Sequence, residues 1–109
     1  MMRKLRVPDA LAELVRSMHP GLKKKVKASF KIILSEPYSG KALKDELNGL
    51  RSFRVSGFRI IYRISKGGKQ IEIAAIGPRK HIYAETFRLI KELRHKWRRF
   101  FSARNISFI

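Results

Sequence analysis

The stretch from residue 50 to residue 83 constrains the fold most, because it has the pattern of three short strands joined by two tight turns. Ser56 and Gly57 suit a two-residue hairpin turn, and residues 66–69 (KGGK) suit a second, longer one. Between these turns apolar residues alternate with other residues, which is typical of strands with one face in a core. The stretch therefore predicts an antiparallel three-stranded meander.

The positions of the two turns predict which residues face each other. Arg54 should lie opposite Arg59 in the first hairpin, and Arg63 opposite Glu72 in the second. The two registers, derived separately, agree on the core face. That face is expected to hold Phe53, Val55, Phe58, Ile60, Tyr62, Ile64, Ile71, Ile73 and Ala75, with Ile60 opposite Ala75. The other face is expected to hold Arg54, Arg59, Ile61, Arg63, Glu72, Ala74 and Ile76.

The segments before the meander have the spacing of a strand and two helices. Residues 3–7 fit a short edge strand, and Asp9 is placed to cap a helix that starts at Ala10. Residues 19–21 (HPG) end that helix, and a second helix is expected over residues 22–35. We expect the pair to form a helical hairpin that covers one face of the sheet.

A last helix is expected from Tyr83 through the nineties, with Phe87, Ile90 and Trp97 on its apolar side. Residues 100–109 are apolar but lack periodicity. The fold class is therefore α+β, with one domain over residues 1–99 and a C-terminal tail over residues 100–109.

The excess of positive charge indicates the kind of partner. Lys and Arg number 26 against 8 Asp and Glu, which gives a formal net charge of +18. A field of this sign favours polyanions, with nucleic acid ahead of an anionic membrane or an acidic protein. The chain has no cysteine and no apolar run long enough to cross a membrane, and its first residues lack the apolar segment expected of a signal peptide. We expect a cytoplasmic protein without thiol chemistry.

Basic residues on the non-core face form the candidate site. Arg54 and Arg59 would face each other, and like charges in that arrangement destabilise a sheet unless an anion lies between them. Guanidinium groups match the geometry of phosphate oxygens. Further basic and aromatic residues follow the third strand at the same end of the sheet. The residues expected to converge are Arg54, Arg59, Arg79, Lys80, His81 and Tyr83.

Such a patch can bind RNA and can also cut it. Cleavage by the ribose 2′-hydroxyl requires stabilisation of charge on the phosphorus, removal of the 2′ proton and help for the leaving 5′-oxygen. Arginines supply the first, and Tyr83, His81 or another basic side chain can assist the others. No acidic cluster suited to magnesium is visible, so we expect neither a metal nor another cofactor.

These residues also have ordinary structural explanations. Strand arginines are usually solvated, and a tyrosine at a helix start is as often core as catalytic. Lys23, Lys24 and Lys25 fit a solvated helix face, although they can extend an electrostatic footprint toward ribosomal RNA. With Arg63 and Lys80, they are the candidates for additional RNA contacts.

The chain resembles the RelE/ParE superfamily of toxins from toxin–antitoxin pairs, most specifically in two segments, LKDELNGLRSFRVSGFRIIYRI and IAAIGPRKHIY. The resemblance implies a RelE-like fold, with an N-terminal helical hairpin on a small antiparallel sheet and a C-terminal helix. In this superfamily the RelE branch cleaves mRNA in the ribosomal A site by metal-free 2′-hydroxyl attack. The ParE branch acts on DNA gyrase.

The resemblance also implies roles for individual residues. Arg59 matches the family's strand arginine, Arg79 the arginine after the last strand, and Tyr83 a tyrosine credited with a catalytic role. RelE-type members can carry two lysines on the preceding strand, where this chain has Ser52 and Arg54. His81 can compensate, since some relatives use a histidine nearby.

The expected function is that of a ribosome-dependent mRNA endonuclease. A ParE-type gyrase inhibitor and an inactive RNA-binding module are the alternatives. The resemblance further implies a cognate acidic antitoxin that neutralises the basic surface, with operator DNA bound only through that antitoxin. No membrane partner is expected.

Overall fold

One five-stranded sheet organises the protein in the computed structural model, which describes residues 3–84 and 86–88. Its strands are β1 (Lys4–Arg6), β2 (Lys41–Ala42), β3 (Arg51–Val55), β4 (Phe58–Ser65) and β5 (Gln70–Pro78). The order is β1-β5-β4-β3-β2, and all neighbours are antiparallel except β1 and β5. The predicted meander is therefore confirmed as the centre of the sheet. The short strand β2 was not predicted.

Two helices, α1 (Asp9–Arg16) and α2 (Pro20–Ser35), form the predicted hairpin against one face of the sheet. Their starts differ from the prediction. Asp9 lies inside the first turn of α1 rather than capping it. The helix α2 begins at Pro20, because the His19 ring accepts a hydrogen bond from the Gly21 amide (3.2 Å) and proline fits a first helical turn. Neither helix, nor any other helical segment in the described residues, is long and apolar enough to cross a membrane.

The main core lies between these helices and the sheet, and we call it the helix-side core. Val26 and Ile33 of α2 are completely enclosed in it, as is Ile60 of β4. Full burial of such side chains contributes about 1.5–3 kcal/mol each. The buried members are Val7, Val15, Val26, Ile33, Val55, Ile60, Tyr62, Ile71, Ile73 and Ile76.

A β-bulge corrects the predicted register between β4 and β5. Ile60 faces Ile76 rather than Ala75, Ile61 faces Ala75, and Ala74 is the extra residue on β5. Because one extra residue inverts the alternation beyond it, Ala75 and Ile76 exchange faces relative to the prediction. Ile76 packs in the helix-side core, and Ala75 lies on the opposite face.

The opposite face of the sheet, called the far face below, is also covered. Leu50, Ile61, Ala75 and Ile82 form a second buried cluster there, the far-face cluster. Ile82 follows β5, so the chain turns back over this face. Gly77 permits the return, since a Cβ on it would lie 2.9 Å from the Ile82 Cδ1 atom. The sheet is thus buried on both sides, where the sequence predicted one core face.

Residues 82–84 and 86–88 are helical, which agrees with the start of the predicted C-terminal helix. The Thr86 hydroxyl donates to the Ile82 carbonyl (2.6 Å) within this segment. The predicted continuation through Ile90 and Trp97, and the tail over residues 100–109, lie outside the described residues.

Tyr62 ties the loop after α2 to the middle of the sheet. Its hydroxyl donates to the Pro37 carbonyl (2.6 Å) and accepts from the Gly40 amide (3.0 Å), and the side chain is fully buried. Arg51 adds hydrogen bonds to the carbonyls of Tyr38 (3.1 Å) and Gly40 (3.0 Å). These bonds hold the short helical turn Pro37–Ser39 and direct the chain into β2.

We predict that Gly40→Ala lowers the free energy of unfolding by about 2–4 kcal/mol. A Cβ at Gly40 would overlap the Tyr62 hydroxyl and lie 3.0 Å from the Ser52 carbonyl oxygen. Urea denaturation followed by circular dichroism measures the loss. Gly57→Ala is the matched control, because a Cβ at Gly57 meets no atom within 4 Å. Equal stability of the two variants would show that the packing around Tyr62 is misassigned.

Candidate functional site

Two arginines face each other across the first hairpin, as predicted. Arg54 of β3 pairs in register with Arg59 of β4, and alternation places both on the far face. Their Cβ atoms are about 4.5–5.5 Å apart in such a pair. Arg54 is exposed, whereas Arg59 is half-buried. Two positive charges therefore share one patch, called the arginine pair below.

The Arg59 side chain carries a donor that nothing satisfies in the described part of the chain. Its Nε atom is enclosed and has no hydrogen-bond partner there. A buried donor without an acceptor costs about 1–3 kcal/mol, and more when it carries charge. An anion bound between Arg54 and Arg59 would supply the acceptor and offset the repulsion between the two side chains.

Tyr83 joins the arginine pair on the far face. The chain reaches this position by its return after β5, and the Tyr83 hydroxyl donates to the Ser52 Oγ atom (3.1 Å). Ser52 precedes Arg54 by two residues on β3, so their Cα atoms are about 7 Å apart on the same face. Tyr83 is half-buried and packs against the far-face cluster, so its phenol group lies on the same face of the sheet as the arginines.

Arg79, Lys80 and His81 lie at the end of the sheet that carries the Ser56–Gly57 turn. The Arg79 amide donates to the Gly57 carbonyl (2.9 Å), which anchors the chain next to that turn. All three side chains are exposed. The backbone thus brings them to the same end of the sheet as the arginine pair, although they lie at its rim rather than on its face.

The lysines of α2 are separated from this group by the sheet. Lys24 and Lys25 are exposed and Lys23 is half-buried, on a helix that packs against the other face. The Lys25 ammonium group donates to the Ser56 hydroxyl (3.3 Å). These lysines therefore approach the predicted patch only around the β3–β4 turn.

Arg63 shares the far face but already has an anionic partner. Its guanidinium group lies 2.6 Å from the Glu72 carboxylate, and the Ser65 hydroxyl donates to the same carboxylate (3.2 Å). This pair matches the predicted register, and it distinguishes Arg63 from the arginine pair. Its expected RNA contact stays a prediction. Among the described residues no group of three His, Cys, Asp or Glu could hold a metal ion.

Ser52 is the residue of this group that sequence reasoning did not assign to the site. Alternation along β3 already put it on the same face as Arg54. Its partner is more than thirty positions away, and the contact depends on the return of the chain after β5. No local pattern indicates such a contact.

A family model for the ParE toxin of type II toxin–antitoxin systems matches residues 7–83 of this chain. The match spans more than two thirds of the sequence. The chain belongs to this family, and therefore to the RelE/ParE superfamily of toxins from toxin–antitoxin systems. A comparison with curated protein sequences produced no significant match.

Solved structures of toxins share the fold. The RelBE2 toxin–antitoxin complex of Mycobacterium tuberculosis contains a chain with 25% identity and a TM-score of 0.62, covering 72% of this chain and 100% of that one. A double-mutant RelE of Escherichia coli in the free state has 17% identity and a TM-score of 0.64, over 83% of this chain and 99% of that one. The YoeB/ParE toxin of Agrobacterium tumefaciens has 20% identity and a TM-score of 0.55, over 67% and 92%. The predicted RelE-like α+β fold is confirmed.

We predict that Arg54→Thr raises the free energy of unfolding by a few tenths of a kcal/mol, because it removes the repulsion within the arginine pair. Phosphate at constant ionic strength should raise the melting temperature of the wild type more than that of this variant, since the anion binds where the repulsion is. Differential scanning calorimetry in phosphate and in chloride measures both effects.

Arg63→Thr is the matched control for this prediction. It removes an arginine from the same face of the sheet, but one whose neighbour across the strands is Glu72. We expect it to lower stability by up to about 1 kcal/mol. A loss of stability in both variants, with no selective effect of phosphate, would contradict an anion site at Arg54 and Arg59.

Proposed function

We propose that this toxin is a ribosome-dependent mRNA endonuclease that cuts by attack of the ribose 2′-hydroxyl, without a metal ion, and so inhibits translation. An arginine pair with an unsatisfied buried donor shares a sheet face with a tyrosine hydroxyl. Phosphodiester cleavage by a 2′-hydroxyl requires stabilisation of the phosphate charge and a proton donor for the leaving oxygen, and these residues can supply both.

The proposed roles follow from what each side chain can offer. Arg54 and Arg59 hold the non-bridging phosphate oxygens and stabilise the charge that builds on them, and Arg79 contacts the phosphate from the rim. The 2′-oxygen forms a bond to phosphorus, and its proton passes to His81. The bond from phosphorus to the 5′-oxygen breaks, and that oxygen takes the proton of Tyr83. The products are a 2′,3′-cyclic phosphate and a 5′-hydroxyl.

Burial makes Arg59 the principal stabilising group in this scheme. Its half-buried position keeps the guanidinium in a fixed direction before the substrate arrives, and its Nε atom has already lost its water. Preorganised donors of this kind typically contribute about 10²–10³ to a rate. Arg54 and Arg79, both exposed, contribute more to capture of the RNA backbone.

The positive charge of the protein is also suited to the proposed partners, an antitoxin and ribosomal RNA. RelE–RelB complexes from Pyrococcus horikoshii and Escherichia coli have this fold, and we infer a cognate antitoxin for this toxin also. With a net charge of +18, the surface favours an acidic antitoxin segment, and operator DNA would be bound through the antitoxin. Lys23, Lys24, Lys25, Lys80 and Arg63 are proposed contacts to ribosomal RNA. A ribosomal target implies action in the cytoplasm.

A gyrase inhibitor is the second candidate function. The observation that favours it is the family model itself, which describes ParE toxins and matches residues 7–83. In that case the basic far face would contact a protein surface, and Tyr83 would be a packing residue. The two functions differ in what they require of the phenol hydroxyl, since only the nuclease needs its proton.

We predict that the wild-type protein cuts mRNA on translating ribosomes, and that Tyr83→Phe slows single-turnover cleavage about 100-fold because the proton donor is lost. Arg79→Ala should slow it by about 10–100-fold through weaker phosphate contact. Gel analysis of a defined mRNA measures the rates. Arg16→Ala is the control, because Arg16 is exposed on α1 and paired with Glu13, away from the far face. Cleavage by this variant should equal that of the wild type.

A supercoiling assay with DNA gyrase separates the two candidates. The nuclease proposal predicts normal supercoiling in the presence of the toxin and cut mRNA in the ribosome assay. Intact mRNA together with loss of supercoiling would replace it with the gyrase inhibitor. Intact mRNA with normal supercoiling would contradict both.

A further inference from the structure

Ser52 is a buried hydroxyl in an apolar part of the far face. It is 2% exposed, and its partner across the strands, Ile61, is completely enclosed. A hydroxyl in such surroundings costs free energy unless it is hydrogen-bonded. The bond that satisfies it joins it to Tyr83 (3.1 Å). The Tyr83 phenol therefore supplies the side-chain hydrogen bond that the buried Ser52 hydroxyl requires.

The Tyr83 side chain is consequently held at both ends. At its base, the neighbouring residue Ile82 is fully buried and seated against Gly77 of β5, which fixes the backbone. At its tip, the hydroxyl is bound to Ser52. A tyrosine side chain has only two rotatable torsions, so these two anchors leave little freedom for its oxygen. That oxygen stays on the face that carries Arg54 and Arg59.

We propose that Ser52 is a positioning residue that orients the Tyr83 hydroxyl toward the phosphate held by the arginine pair and stabilises its oxygen as the proton leaves. The inference rests on the proposed nuclease function. A serine hydroxyl both donates and accepts. It accepts from the phenol in the resting protein. When substrate is bound, the phenol turns its proton from Ser52 to the leaving 5′-oxygen, and the Ser52 hydroxyl rotates to donate to the phenol oxygen. Ser52 keeps its own proton and stays hydrogen-bonded to the phenolate after the transfer.

This role predicts a specific pattern of kinetic effects. Ser52→Ala should lower kcat about 10-fold with little change in KM, because the lost hydrogen bond is stronger to the charged oxygen of the transition state than to the neutral phenol of the resting protein. In a Tyr83→Phe background the same substitution should have no further effect, since the oxygen on which Ser52 acts is absent. A substitution that only disturbed the packing of the sheet would slow both backgrounds.

Two further substitutions separate the loss of the hydroxyl from a defect in folding. Ser52→Thr and Ser52→Val have nearly the same shape and differ in the hydroxyl, so any steric cost at this buried position is shared. The threonine variant should cut mRNA substantially faster than the valine variant, at a temperature where circular dichroism shows that both are folded. This comparison decides the question even where Ser52→Ala fails to fold.

A substrate with sulfur in place of the bridging 5′-oxygen provides an independent readout. A thiolate leaves without being protonated, so the role of Tyr83 as proton donor becomes dispensable. On this substrate the effect of Ser52→Ala should shrink from about 10-fold to less than about 2-fold. An undiminished effect would overturn the assignment.

The outcomes separate this inference from the function on which it rests. Wild-type protein that leaves mRNA intact overturns the nuclease function and the role of Ser52 with it. Wild-type cleavage with an unchanged rate for Ser52→Ala overturns the positioning role alone, and so does an equal loss from this substitution in the wild type and in the Tyr83→Phe background. Non-additive losses, together with the difference between threonine and valine, establish it.

Discussion

The bulge at Ala74 is the constraint on which the site depends. It directs Ile76 into the helix-side core and leaves Ala75 on the far face. The small alanine side chain leaves space there for the chain segment that follows β5. Ile82 packs in the same far-face cluster as Ala75 and Ile61, and Gly77 permits its close approach to β5. Without the exchange, the bulky Ile76 would lie on the far face of the sheet. The chain that carries Tyr83 could then not return over β5 in the same way.

The charges of the far face work against stability in the isolated protein. Arg54 and Arg59 repel each other, and the enclosed Nε atom of Arg59 lacks a partner within the described residues. By contrast, Arg63 on the same face is paired with Glu72. The fold thus pairs Arg63 with a carboxylate and leaves Arg54 and Arg59 opposite each other across the strands. Such local destabilisation is characteristic of a site that an anionic ligand or partner completes.

Turn chemistry explains how much of this fold was predictable from the sequence. Ser56-Gly57 and the glycines at 67 and 68 set the hairpins, and from these followed the registers Arg54–Arg59 and Arg63–Glu72. The bulge was missed because two successive alanines, Ala74 and Ala75, carry no signal for an extra residue. The short strand β2 was missed because two residues are too few for any periodicity.

The positions of several candidate site residues on the sheet were predictable, whereas the contacts between their side chains were not. Strand alternation and position after β5 were enough to group Arg54, Arg59, Arg79 and Tyr83. Those patterns do not show which side chains touch, so the bond between Tyr83 and Ser52 emerged only from the packing of Ile82 on Gly77. Contacts that join segments distant in sequence depend on the whole fold, whereas turns and alternation are local.

The chemical groups at the cut ends of the mRNA report directly on the proposed 2′-hydroxyl attack. Attack by the 2′-hydroxyl at a phosphate held by Arg54 and Arg59 leaves a 2′,3′-cyclic phosphate upstream and a 5′-hydroxyl downstream. Mass spectrometry of mRNA fragments from translating ribosomes treated with the toxin identifies both ends. We expect these termini at every toxin-dependent cut. Fragments that carry a 3′-hydroxyl and a 5′-phosphate, or mRNA that stays intact, would contradict it.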